Sequence, residues 1–189
     1  MKKFFGELWR LILITALGFA GSLIAGLMIY GGEIFEIQSA GFAYYITYGI
    51  STSFVFAFYH VRGLSNTITA AVSVGALLFA IATFWMPVLN AAIWSFGVNV
   101  SVVVIAFLFE RKLAYLKQWK FIVVGIVYGA IFVLLTLSVL VLTNVKSLPP
   151  SLFQKNFLDG LCLGLGLGIG VEIAESIIHS VDQHFQAKK

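Results

Sequence analysis

The chain is expected to fold as an all-α, polytopic membrane helical bundle of six transmembrane helices with both termini cytoplasmic, and three observations carry that expectation. Hydrophobic residues make up 60% of the 189 and charged residues only 11%, against roughly 45–50% and about 25% in soluble domains. Mean hydropathy is +1.00, and the charges lie between long apolar runs rather than among them. Lysine and arginine gather on alternate connections, as they do in an oriented multi-pass chain.

A helix needs about 20 apolar residues to cross about 30 Å of hydrocarbon. Six stretches meet that need: about 9–30, 41–60, 66–87, 90–109, 120–143 and 158–178. The first has an apolar run longer than the ~7–15 residues of a signal core, with no small-x-small cleavage site and polar exit after it, so it is expected to be retained. The third and fourth are joined only by Pro87-Val-Leu-Asn90 and should form a tight helical hairpin. The fifth follows the basic stretch Glu110 to Lys120. Before the sixth runs the longest outer connection, Thr143 to Asn156, which Pro149 and Pro150 stiffen into a lid or spacer. Residues 1–189 read as one integral membrane domain, with no soluble domain at either end.

Orientation follows from the positive charges. With the N-terminus inside, the inner side holds Lys2, Lys3, Arg10, Arg62, Arg111, Lys112, Lys117, Lys120, Lys188 and Lys189; the outer side holds Lys146 and Lys155. The first outer connection carries Glu33 and Glu36 with no base. The net charge of +4 therefore reflects orientation in a lipid bilayer and not nucleic-acid binding. Such a bias suits a bacterial or archaeal plasma membrane. Cys162 stands alone, so it forms no intrachain disulfide and no thiolate cluster; it reads as a small packing residue.

Small residues recur on two helices. Gly160, Gly164 and Gly168 form one stripe on the sixth span, and Gly166 and Gly170 a second on a nearly opposite side, because two residues turn a helix by roughly 200°. Ala16 and Ala20 do something similar on the first span, as do Gly18, Ser22 and Gly26. Such faces let another helix backbone approach closely. They serve either packing inside one bundle or an interface with a second copy or another subunit.

The sixth span ends in Glu172, Glu175 and His179, which share one face at i, i+3 and i+7; Asp182 and Gln183 continue it. Arg10, His60, Arg62, Glu110 and Arg111 fall at the same depth by topology. An ion-pair collar joining Glu172 or Glu175 to Arg10 or Arg62 is the structural expectation; a proton or cation path through Glu172, Glu175 and His179 is the functional one. A metal site on that face lacks the paired Glu-x-x-His helices of di-iron bundles and the His-Glu-x-x-His of zinc proteases. No phosphate-cradling loop or nucleophile elbow occurs either, so neither an enzyme nor a cofactor is expected. Tyr44, Tyr48 and Ser51 on the second span, with Asn99 on the fourth, form a possible lining for a small solute.

In size, span count and the Ala16–Ala20 pair, the chain resembles the small substrate-binding subunits of energy-coupling vitamin transporters, which dock through an alanine motif. The resemblance implies one piece of a larger transport machine, although no vitamin-binding signature accompanies it. The expected function is that of a non-enzymatic membrane subunit assembling with itself or other membrane proteins through its Gly/Ala faces. The alternative is a small-solute or proton-coupled ion transporter, or a substrate-binding transport subunit, working through the Glu172, Glu175 and His179 face.

Overall fold

The computed structural model describes residues 2–31, 41–84, 86–111, 120–143 and 149–186. It holds six helices: α1 (Lys2–Tyr30), α2 (Gly41–Arg62), α3 (Leu64–Ala82), α4 (Val88–Arg111), α5 (Lys120–Leu142) and α6 (Pro150–Gln186). No strand occurs among the described residues. All but α2 are long and apolar enough to cross a membrane, the make-up of a multi-pass membrane protein.

The exception, α2, is long enough at roughly 33 Å but carries more polar side chains. Its Tyr48, Ser51, Thr52 and Ser53 are all buried, as are Val55, Phe56 and Ala57. α2 touches α1, α3, α4 and α6, so its polar residues face other helices. Two of these hydroxyls return to their own backbone: Ser51 Oγ donates to the Tyr48 carbonyl at 3.1 Å and Thr52 Oγ1 to the same oxygen at 2.6 Å.

Helix ends follow local chemistry. Gly63 turns the chain between α2 and α3 with φ of 78°, a left-handed conformation that favours glycine. Between α3 and α4, Pro87 lacks the N–H that would continue a helix, and α3 stops at Ala82 where the sequence predicted a span to 87. The largest departure is at α6. It begins at Pro150, not 158, so the second half of the expected Thr143–Asn156 lid is helix instead. Proline at a first helical position costs no hydrogen bond, and Asn156 Nδ2 anchors the new turn by donating to Thr136 Oγ1 on α5 at 2.6 Å.

α1, α2, α4, α5 and α6 close a ring of neighbouring helices, and α3 lies outside it against α2 and α4. Ile14, Val55, Phe56, Val98, Ile105, Tyr128, Phe132, Leu163 and Leu167 fill the core. Ile12, Met28, Leu77, Leu134 and Val141 point outward and are exposed, an apolar exterior that suits lipid and not water.

Candidate functional site

Both glycine stripes of α6 are occupied within the chain. A Cβ on Gly160 would lie 2.6 Å from the Tyr128 carbonyl oxygen, and one on Gly164 2.8 Å from Gly125 Cα, so this stripe seats α5. On the other side a Cβ on Gly170 would lie 2.6 Å from the Leu17 carbonyl carbon, and one on Gly21 2.9 Å from that of Gly166. That stripe seats α1, and Ser22 Oγ donates across it to the Leu163 carbonyl at 3.1 Å. Gly168 is buried too. Ala16, by contrast, is exposed on α1, and Ala20 is half-buried. The matching glycines on α5, Gly125 and Gly129, escaped the sequence reading although their four-residue spacing was legible.

At the end of the bundle where the first residues of α1 and the last of α6 meet, three ion pairs join three helices. Arg10 on α1 donates to both carboxylate oxygens of Asp182 on α6, at 2.9 and 2.7 Å. His60 Nδ1 on α2 meets Glu175 Oε1 on α6 at 2.5 Å. Arg62 on α2 meets Glu7 on α1 at 2.5 Å. The expected collar thus exists with different partners: Glu175 takes the imidazole, Arg10 takes Asp182, and Arg62 takes Glu7, a residue not singled out in the sequence. Glu172 and His179 lie exposed on the same flank of α6, and His179 Nε2 is 2.8 Å from Gln183 Nε2. The side chains of Glu110 and Arg111 lie outside the described residues.

His60 is the most buried member of the lattice, with its side chain 19% exposed. Its ring packs against Phe56 and Tyr59, at centroid separations of 5.0 and 5.2 Å. While Nδ1 reaches Glu175, Nε2 is buried with no hydrogen-bond partner among the described residues. One imidazole therefore has a nitrogen in an ion pair and a nitrogen that is buried.

The proposed solute lining is only partly assembled. Tyr48 packs on Trp94 of α4, and Trp94 on Phe132 of α5. Ser51 is spent on its own helix, and the side chain of Tyr44 lies outside the described residues. Asn99 is fully buried; its Nδ2 donates to the Ser95 carbonyl at 2.8 Å. Among the described residues its Oδ1 and the Ser95 hydroxyl, one turn away, have no hydrogen-bond partner. Among the described residues no three His, Cys, Asp or Glu side chains converge as metal ligands would. Compared with known proteins, the chain matches no family model, no curated protein and no solved structure.

Proposed function

We propose that this chain is a non-enzymatic, proton-linked carrier of a small solute or ion in a bacterial or archaeal plasma membrane, with α2 as its sixth span and both termini cytoplasmic. The His60–Glu175 pair carries the reading. Imidazole can take a proton at one nitrogen and release one from the other, and here one nitrogen is buried while the other meets a half-exposed carboxylate. Partly exposed ion pairs are individually weak, so the three that join α1, α2 and α6 can be broken at modest cost. Glu172 lies one turn nearer the glycine seam on the same flank, and His179 one turn nearer the end of the helix. The glycine stripes favour this reading over assembly, because α1 and α5 already fill them.

The test is proton flux into proteoliposomes with an entrapped pH dye, on pulses of alkali cations, amino acids and vitamins. A response to one of them should be lost in His60→Gln and in the Glu172→Gln, Glu175→Gln double variant. Flux that persists in both would exclude these groups from coupling.

One observation favours a second reading, assembly through α1. Ala16 is exposed between Ile12 and Ile24, which are 60% and 57% exposed, and a small residue on an outward face admits a neighbouring helix. Native mass spectrometry after gentle extraction should then show a complex that Ala16→Leu disperses; a lone chain in both cases counts against assembly.

A further inference from the structure

Asp159 is 7% exposed on α6, a helix apolar enough to cross a membrane. A span starting at Leu158 would set it at a wet boundary, but the start at Pro150 sets it about 14 Å along the helix. On α1, the buried Tyr30 hydroxyl lies beside this carboxyl group, within its hydrogen-bonding reach. Among the described residues the other titratable groups near this level are Cys162 and Lys155 on α6, Tyr128 on α5, whose backbone packs on Gly160, and Tyr48 on α2, whose neighbour Gly49 meets Leu163. Cys162 is fully buried and Lys155 exposed.

Toward the ion-pair lattice, the α1–α6 seam closes. Ser22 bonds the Leu163 carbonyl, Gly21 meets Gly166, and Leu17 and Gly18 meet Gly170. Backbone lies on backbone along that seam, leaving no room for water between α1 and α6. Asp159 lies on the far side of it from the lattice, at the level where α1 finishes at Tyr30. Glu175 stands about 24 Å further along the same helix, so α6 carries an ionisable group at each of two levels with a glycine-packed plug between them.

We propose that Asp159 and Tyr30 form a proton-exchange site open to the end of the bundle opposite the ion-pair lattice. The carboxylate takes a proton from hydronium, forming one O–H bond and releasing water, and the reverse step returns it. A phenol hydroxyl suits both states, since it donates to a carboxylate and accepts from a carboxylic acid. Protonation also removes a charge that a membrane-embedded position tolerates poorly. The role in coupling rests on the carrier reading; the exchange itself does not.

The experiment is labelling of the full chain in liposomes with dicyclohexylcarbodiimide, which adds to protonated carboxyl groups, followed by peptide mass mapping from about pH 5 to about pH 9. The expected result is an adduct on Asp159 that is lost as pH rises, with a midpoint that moves in Tyr30→Phe. Three results overturn the proposal: no Asp159 adduct anywhere in that range, an adduct independent of pH, or protection by sodium at fixed pH, which would make this a cation site. An unmoved midpoint in Tyr30→Phe removes Tyr30 from the site. Labelling needs no transported solute, so lost flux with intact labelling refutes the carrier alone, and intact flux without labelling refutes this site alone.

Discussion

A single methyl group at Gly170 should force α1 and α6 apart. The added Cβ would collide with the Leu17 carbonyl oxygen and sit 2.6 Å from its carbon and 2.8 Å from Gly18 Cα, whereas ordinary contact begins at 3.4 Å, so the helices must part by more than the roughly 0.8 Å that the carbon alone requires. All three obstructing atoms are backbone, and no rotamer change relieves them. Gly166, one turn earlier on the same stripe, meets Gly21 and Ser22 equally closely, so the parting spreads along the seam. Overpacking of this kind costs about 1–3 kcal/mol, and the better helix propensity of alanine returns up to about 1 kcal/mol. A net loss of roughly 1–2 kcal/mol is expected for Gly170→Ala. Unfolding by SDS titration from a mild detergent reads it, with maleimide capture of the buried Cys162 thiol as the probe. Gly6→Ala on α1 is the control: a Cβ there meets nothing within 4 Å, so stability should hold or rise. Gly49→Ala meets the Phe19 ring at 3.1 Å, which can rotate, and should cost less than Gly170→Ala. Wild-type stability in Gly170→Ala, or an equal loss in Gly6→Ala, would refute the close α1–α6 approach.

Three further outcomes are expected. Arg10 and Asp182 are 41% and 44% exposed, so a double-mutant cycle to alanine should return a coupling of no more than about 1 kcal/mol, weakened by salt; a coupling several times larger would mean the pair is buried by something else. Among the described residues the Tyr128 hydroxyl is buried without a hydrogen-bond partner, and the nearby Ser101 hydroxyl is committed to the Val98 carbonyl. Tyr128→Phe should therefore leave SDS stability unchanged or raise it by about 1 kcal/mol, whereas a loss would reveal a bond made by that oxygen. With Cys162 replaced by alanine, Lys188→Cys should react with an impermeant maleimide only after spheroplasts are opened, and labelling of intact spheroplasts would reverse the proposed orientation.

The helices were largely legible because each is a long apolar run punctuated by glycine, proline or charge, and hydropathy does not depend on what a helix touches. The charged end was legible as a set of residue types but not as pairs. One residue turns a helix by about 100°, so partner choice depends on rotation and axial shift that no single helix encodes. Glu175 therefore went to His60, and Glu7, unremarked in its own segment, became the partner of Arg62. Asp159 was hidden for a related reason. Pro149, Pro150, Lys155 and Asn156 look like a loop in sequence, while contacts with α5 carry the helix through them: Asn156 bonds Thr136, and Phe157 covers Gly129.

The sequence by itself determined the class of this protein, the approximate place of its helices, the proline break between α3 and α4, and two small-residue stripes on α6. Tertiary structure alone decided what those stripes hold. A glycine face fits any closely approaching backbone, and only the assembled bundle fills one with α1 and the other with α5. It also decided that the polar side chains of α2 face other helices, because burial depends on neighbours and not on composition. By the same physics it buried Asp159 beside Tyr30: a carboxyl group's surroundings are set by the helices packed around it, wherever its own segment seems to end.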